Sequence, residues 1–112
     1  MSEPTTEPAA EPARDYAVLS ELRVPEGSGE VLEAAFADRL HEVEQHAGFR
    51  RLEVWRDARD ATRYLMMTWW AAPEDFRAYM RSEEHRRSHA RIPGAPHKPH
   101  GVRVEQFHVV AR

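Results

Sequence analysis

An eight-residue run from Arg63 to Trp70 (RYLMMTWW) constrains the fold most strongly, because it is apolar at both odd and even positions. Successive side chains of a strand point to opposite faces of a sheet, so a strand of this composition buries both of its faces. The run is far shorter than the roughly 18 apolar residues of a membrane span. We therefore expect a central strand, or a strand whose second face meets another subunit, with one of Trp69 and Trp70 on each face.

The residues before this run predict a strand, a helix and a second strand. Asp15 to Val24 alternates in polarity, which is typical of a half-buried strand. A turn follows in which Ser28 is the expected helix N-cap. Apolar residues then recur at helical spacing, and we expect this helix to reach about Gln45–Ala47, with Gly48 as the residue that ends it. The second strand is predicted from Arg50 to Arg56.

The residues after the run predict two helical segments and a last strand. Pro73 stands at a first helical position and is followed by two acidic residues that complement the helix dipole. Ser82 is placed to cap a second helical segment from Glu83 to Arg91. Ile92 to Gly101 holds three prolines and two glycines and is predicted to be a loop. The last strand is predicted from Val102 to Val110.

The order β-α-β-β-α-(α)-β predicts an α+β fold of the ferredoxin-like, split βαβ type, with helices on one face of a four-stranded antiparallel sheet. The face without helices is predicted to be apolar, and an apolar face of that size indicates an interface. We therefore expect a homodimer that packs sheet against sheet. The residues expected on this face are Leu19, Leu65 or Met66, Met67, Trp69 or Trp70, and Phe107 or Val109.

Composition excludes several classes of function. The chain has 112 residues, which is one domain by length, and a formal net charge of −3 that argues against nucleic-acid binding. It has no cysteine, so thiolate nucleophiles and iron–sulfur clusters are excluded. Residues 1–14 are rich in Glu and Pro, so we expect a disordered tail there and a folded domain over 15–112. The tail does not resemble a signal peptide, so we expect a cytoplasmic protein without membrane contact.

Candidate binding residues are concentrated between Met67 and Arg91, where two tryptophans, two histidines and five arginines occur. Apolar surface, imidazoles and cations suit a flat, apolar, anionic ligand such as haem or an aromatic acid. His85 and His89 lie four residues apart and share a helix face. Such a pair can bind Zn²⁺ or Cu²⁺, and His97 and His100 are available to complete four ligands. The alternative is that these histidines are solvated, with His85 at the surface or the rim of a pocket.

Three further sets of side chains remain open between a binding role and a structural one. The arginines pair either with ligand carboxylates or with neighbouring glutamates on a solvated helix face. The apolar residues either line a pocket or belong to the core, and the tryptophans fit the core or the dimer interface. The sets are Arg81, Arg86, Arg87 and Arg91; Phe36, Leu40, Phe76 and Met80; and Trp55, Trp69 and Trp70.

The order of these motifs resembles a known family. It comprises Gly48-Phe49 before the LEVWR sequence of 52–56, Tyr64-Leu65 to Thr68-Trp69-Trp70, the helix Pro73 to Tyr79, and Ser82 to His89. Over about residues 15–111 the chain resembles the antibiotic biosynthesis monooxygenase superfamily, the dimeric α+β barrels. Within it the chain is most similar to the small haem-degrading monooxygenases of bacteria. These barrels host many chemistries, so the resemblance predicts the fold more strongly than the activity.

The haem-degrading branch implies three site residues. Its members hold haem between sheet and helices through a proximal histidine, which corresponds to His89. A tryptophan of the second helix and an asparagine of the first strand correspond to Tyr79 and Ser20. A tyrosine has less bulk with which to distort a porphyrin, and a serine has a shorter reach, so haem binding is a firmer implication than efficient cleavage. The other residues expected to contact haem are Trp70, Phe76 and Arg86.

Three functions are therefore considered. The first is a haem-binding monooxygenase that degrades haem with O₂ and a reductant, with His89 as the iron ligand. The second is a cofactor-independent monooxygenase of an aromatic or quinol substrate, in which Trp69 or Trp70, Tyr79 and an arginine stabilise an oxyanion. The third is a non-catalytic dimer that binds a small ligand or a partner.

Overall fold

The computed structural model describes residues 15–38 and 42–112, and the structural statements below concern these residues. The predicted tail at 1–14 lies outside them, as do Arg39 and Leu40 of the predicted first helix. The elements in chain order are β1 (Tyr16–Arg23), α1 (Gly29–Ala37), a 3₁₀ turn (Val43–Gln45), β2 (Phe49–Arg56), β3 (Arg63–Trp70), α2 (Pro73–Met80), α3 (Glu83–His89) and β4 (His100–His108).

The four strands form one sheet in the order β2-β3-β1-β4, in which all neighbours are antiparallel. This is the predicted ferredoxin-like arrangement, with the apolar strand β3 inside the sheet. The register separates the two adjacent tryptophans as predicted, because Trp70 lies opposite Tyr16 whereas Trp69 lies opposite Ala17. Trp70 faces the helices, and Trp69 faces the opposite side, which is called the open face below.

Two groups of buried side chains lie between the sheet and the helices. The Trp70 cluster occupies the end of the sheet beneath α2, and the Tyr64 cluster occupies the end beneath α1. The Trp70 cluster comprises Tyr16, Val18, Val43, Trp70 and Tyr79, with Phe49, Leu52 and Phe76 packed against it. The Tyr64 cluster comprises Val24, Leu32 and Tyr64, with Leu22, Phe36 and Val54 packed against it.

The first helix is shorter than predicted. The expectation that it reaches Gln45–Ala47 is wrong, because α1 ends at Ala37 and a separate 3₁₀ turn begins at Val43. Arg91 donates to the carbonyl oxygen of Asp38 at 3.0 Å and to its carboxylate at 2.9 Å, which satisfies acceptors at the end of the helix. Val43 belongs to the separate 3₁₀ turn and still packs in the Trp70 cluster. Its helical spacing from the apolar residues of α1 therefore did not reflect one continuous helix.

The two predicted N-cap serines behave differently. Ser28 precedes α1 as expected, but its side chain makes no capping hydrogen bond. Its hydroxyl instead lies 2.9 Å from Nδ1 of His97, in the loop before β4. Ser82 precedes α3, and its hydroxyl oxygen accepts a hydrogen bond from the backbone N–H of His85 at 3.1 Å. Ser28 and His97 are far apart in the sequence, whereas helix-capping rules consider only neighbouring residues. Those rules therefore could not have predicted this contact.

The last strand begins earlier than predicted. β4 runs from His100 to His108 instead of Val102 to Val110, and its pairing with β1 shifts register between Glu21 and Leu22. This irregularity lets strand pairing continue into residues that the prolines and glycines had assigned to a loop. All nine residues of β4 are exposed, so neither face of this edge strand is covered within the protomer.

None of the helices described here is long and apolar enough to cross a membrane. The predicted cytoplasmic location stays a prediction.

Gly48 is expected to resist substitution. Its φ of +80° lies in the left-handed region, and a Cβ atom there would lie 2.1 Å from Cγ and 2.6 Å from Cβ of Asp75. We expect Gly48→Ala to lower the free energy of unfolding by about 2 kcal/mol or more, since strain and overlap add. Gly94→Ala, where nothing lies within 4 Å of the added atom, is the control and should change it by less than about 0.5 kcal/mol. Equal urea midpoints for the two variants would contradict this account.

Candidate functional site

A column of aromatic rings runs from the core to the surface of the helical layer. Its centre is Tyr79, which is 8% exposed. The Tyr79 ring centroid lies 5.4 Å from that of Trp70, 5.3 Å from that of His46 and 5.2 Å from that of His85. The His85 ring lies 5.9 Å from the ring of His89, which is exposed. The column therefore connects a buried indole to an imidazole that an external ligand can reach.

Local sequence explains the inner end of the column. Pro73 begins α2, and Phe76 and Tyr79 follow on one helix face because they are three residues apart. Both rings contact Trp70, with a Phe76 centroid distance of 5.9 Å. The indole N–H of Trp70 donates to the hydroxyl of Thr68 at 3.0 Å, so this buried donor is satisfied. Trp70 is 1% exposed and therefore supports Tyr79 from within the core.

Two polar groups of the column, Tyr79 and His85, have pKa values that are shifted towards their neutral forms. Burial raises the pKa of the Tyr79 phenol, and the nearby side chain of Ser88 opposes part of that rise. Burial also lowers the pKa of His85, and the neighbouring His89 lowers that pKa further. Near neutral pH, His85 is therefore an uncharged imidazole between a neutral phenol and the exposed ring of His89.

His46 is a member of the site that sequence analysis missed. It follows the 3₁₀ turn, and its ring also lies 6.4 Å from that of Trp70. Its Nδ1 atom is buried and has no hydrogen-bond partner among the residues that the structure describes. A buried ring nitrogen of this kind is able to bind a polar group of a ligand. Sequence analysis missed His46 because it extended the first helix to about residues 45–47. In such a helix, residue 46 would lie in a frayed terminus and not against Tyr79.

Ser20 lies on the sheet itself, apart from the ring column. It is paired with Met66 on β3 and with Val104 on β4, so these side chains lie in one row on the helix side, which continues to Val54, the partner of Met66 on β2. The row falls between the Trp70 cluster and the Tyr64 cluster, because Val18 belongs to the first and Leu22 to the second. Val104 is 58% exposed. We call Met66, Ser20 and Val104 the apolar strip, which carries one hydroxyl.

The structure brings some of the predicted site residues together and leaves others apart. Trp70, Phe76 and Tyr79 share the Trp70 cluster, and His85 joins His89 to it. Among the residues described, no contact joins Ser20 to the column. Arg86 is exposed and pairs with Glu83, as the solvated-face alternative predicts. The other members of the predicted sets that are exposed on the helical layer are Arg81, Arg87, Arg91 and Met80.

The four histidines proposed as metal ligands do not form a site. His97 is engaged with Ser28, away from the pair on α3. Within residues 15–38 and 42–112, no group of three or more histidine or carboxylate side chains is arranged to hold a metal ion. The interpretation of His85 and His89 as half of a zinc site is therefore not supported by the fold.

Comparison with protein families identifies the family of this chain. The model described as antibiotic biosynthesis monooxygenase matches residues 15–91, which is more than half of the chain. The chain belongs to this family. The match covers β1 to α3 and so includes Ser20, Tyr79 and His89. The family predicted from the motif order is confirmed.

Curated relatives and solved structures agree with the predicted likeness to the haem-degrading branch. A mycobilin-producing haem oxygenase of Mycobacterium tuberculosis is 36% identical over 61 residues, which are 54% of this chain and 58% of the relative. The match thus spans little more than half of that relative. A staphylobilin-producing haem oxygenase of Staphylococcus saprophyticus is 28% identical over 66% of this chain and 72% of its own length. A structure of a haem-degrading protein of M. tuberculosis, with two haems in its active site, is 26% identical with a TM-score of 0.64, over 86% of this chain and 94% of that chain.

Proposed function

We propose that this protein binds haem on the helix side of its sheet and degrades it oxidatively, consuming O₂ and a reductant. The observation that carries the proposal is the ring column, which ends in the exposed imidazole of His89 at the residue expected for an iron ligand. The similarity to relatives named as haem oxygenases also supports this proposal. A haem would be both ligand and substrate, and the cleavage chemistry would come from its iron.

The residues present fit such a ligand in chemical type. A haem offers an iron that imidazole binds, a flat apolar macrocycle and two carboxylates. The chain offers His89, the side chains of Met66 and Val104 on the strip, and cationic side chains such as Arg86 on α3. Because β4 is exposed along its whole length, no element among the described residues covers the Val104 end of the strip.

Each residue of the site would have a distinct task. His89 would bind iron, and the adjacent neutral ring of His85 would support it without adding charge. Tyr79 would present a ring and a protonated hydroxyl towards the pocket, and Trp70 would fix its position from behind. Ser20 would donate a hydrogen bond from the sheet side.

The structure gives less support to a cofactor-independent reaction that uses the tryptophans. Trp70 is 1% exposed and cannot touch a substrate in this conformation. Trp69 lies on the open face, where the guanidinium of Arg51 stands 3.9 Å from its ring centroid. Trp70 is on the side of the strip but is buried, and Trp69 is on the opposite side of the sheet, so we do not assign an oxyanion-stabilising role to either.

The proposal includes a homodimer formed through the open face. The register places Leu19, Leu65, Met67, Trp69 and Phe107 there, which resolves the predicted alternatives in favour of Leu65, Trp69 and Phe107. The carboxylate of Glu21 is buried at one end of this face. It accepts a hydrogen bond from Arg63 at 2.8 Å and pairs with Arg103 at 3.2 Å. The face also carries Arg51, which pairs with Glu53 at 3.2 Å, and Glu105, which pairs with Arg103 at 3.5 Å. These charges are paired within the protomer, so the apolar contact would centre on Leu19, Met67 and Trp69.

A hemin titration followed by absorbance tests the haem proposal. We expect a saturable Soret shift for the full chain, and an affinity weakened by about tenfold or more in His89→Ala. His100→Ala, which removes another exposed histidine, is the matched control and should bind as the unmodified protein does. Ascorbate in air should then bleach the band. Linear, unsaturable responses that are identical with and without His89 would overturn the proposal, and loss only in His85→Ala would move the ligand to His85.

A further inference from the structure

A cavity at the β2 edge of the helix side has no role in the proposed function. Its volume is about 370 Å³, and among the described residues it is lined by Glu33, Phe36, Val54, Arg56 and Tyr64. None of these side chains belongs to the ring column or to the apolar strip. The cavity adjoins the strip, because Tyr64 also lies on β3 and Val54 pairs with Met66. It extends towards the β2 edge of the sheet, whereas the strip extends towards β4.

The polar groups of the cavity form a connected set. Oε2 of Glu33 accepts a hydrogen bond from the hydroxyl of Tyr64 at 2.5 Å and from Nη1 of Arg56 at 2.7 Å. These two hydrogen bonds hold the pKa of Glu33 below its usual value, so the carboxylate is ionised at neutral pH. Burial raises the pKa of Tyr64, which is 2% exposed, so the phenol keeps its proton.

A glycine makes room for this arrangement. A Cβ atom at Gly29, the first residue of α1, would lie 2.6 Å from the hydroxyl oxygen of Tyr64. The absence of a side chain there allows the hydroxyl to reach Glu33 on the next turn of the helix. The carboxylate is therefore positioned by a buried group as well as by an exposed one.

The set leaves complementary hydrogen-bonding capacity for a ligand. Among the described residues, both contacts of Glu33 use Oε2, which leaves Oε1 as an acceptor there, and the guanidinium of Arg56 has further N–H donors. The opposite charges of Glu33 and Arg56 offset each other, so a ligand with a net charge would lack a counter-charge. Val54 and Phe36 supply apolar surface beside this pair.

We infer that this cavity binds a small uncharged aromatic amide. The amide N–H would donate to Glu33, the amide carbonyl would accept from Arg56, and the ring would lie against Phe36 and Val54. A volume of about 370 Å³ is near the lower end of ligand sites, which suits one ring and excludes a tetrapyrrole. The inference does not rest on haem binding, because it uses other residues and another ligand.

Titration of ¹⁵N-labelled full-length protein with benzamide tests the inference without any hemin. We expect saturable shifts of backbone amides around Glu33, Val54 and Tyr64. Benzoate and benzylammonium, which match benzamide in size but carry a charge, should bind about tenfold more weakly or worse. Equal binding of the three compounds would overturn the inference, and so would benzamide shifts confined to the apolar strip.

Two variants and one control locate the binding groups. Arg56→Met removes the donor from a side chain that is 56% exposed, and Val54→Phe fills the cavity. Each should weaken benzamide binding by about tenfold or more. Arg112→Met removes a guanidinium that is equally exposed and is paired with Asp15, and it should leave binding unchanged. If Val54→Phe fails to fold, Arg56→Met still decides, because unchanged affinity in that variant contradicts the proposed contact.

Discussion

Trp70→Ala is expected to lower the free energy of unfolding by about 3–5 kcal/mol, the usual cost of removing a large buried ring. Trp70 is 1% exposed, and its ring packs against those of Phe49, Phe76 and Tyr79. Its loss would also leave the hydroxyl of Thr68 without the indole N–H that it accepts. Chemical denaturation with an unchanged m-value is the measurement.

Met80→Ala is the control for this prediction. Met80 lies at the end of the same helix α2 as Tyr79, but its side chain is 44% exposed. Its truncation should cost less than about 1 kcal/mol. Similar midpoints for the two variants would show that the Trp70 cluster is not the main source of stability at this end of the sheet.

The same substitution bears on the site. Trp70 supports Tyr79 from behind, so its removal should weaken hemin binding although it does not reach the surface. A variant such as Trp70→Phe, which retains an apolar ring, should recover part of both the stability and the binding. This shared recovery would indicate that Trp70 positions Tyr79, because a separate ligand contact would not follow stability.

Local sequence patterns were sufficient for the sheet. Alternation in β1 and the doubly apolar β3 predicted both strands, and the strand period of two correctly assigned Trp69 and Trp70 to opposite faces. The start of α2 at Pro73 and the cap at Ser82 were also predicted, because these signals lie within a few residues of the helix ends. Features of this kind depend on backbone geometry that neighbouring residues determine.

Features that depend on distant contacts were not predicted. The first helix ends at Ala37, where Arg91 satisfies the carbonyl of the following residue from more than fifty positions away. Ser28 bonds His97 instead of its own helix for a similar reason. His46 could not be recognised as a site residue until the turn that places it against Tyr79 was known.

The candidate site shows the same division. His85 and His89 were expected on one face of α3, because helical spacing alone groups them. Phe76 and Tyr79 were each expected to contact a haem, without a prediction that they share a face of α2. Their meeting in one column depends on how α3 packs against α2, which no local pattern encodes. Of the residues that line the cavity beside Glu33, only Phe36 had been considered for a pocket, since the lining comes from α1, β2 and β3.

Trp69→Glu is expected to raise the dissociation constant of the proposed dimer by about 100-fold or more, which corresponds to roughly 2.7 kcal/mol. Trp69 lies centrally on the open face, between the β1 residue Ala17 and the β2 residue Arg51. A glutamate there would remove the indole and bring a carboxylate into the contact between protomers, where its desolvation opposes association even with Arg51 beside it. Sedimentation equilibrium over a range of concentrations should show the mass fall to the 13.0 kDa of one protomer.

Ile92→Glu, which adds the same charge to an exposed loop residue, is the matched control and should keep the mass of the unmodified protein. A wild-type chain that is monomeric at about 100 μM would refute the dimer, since sheet-to-sheet interfaces of standard size bind more tightly than that.

The monomeric variant also separates assembly from ligand binding. The apolar strip lies on the opposite side of the sheet from Trp69, so hemin should still bind if one protomer holds the whole site. Loss of hemin binding together with dimerisation would instead mean that the partner completes it.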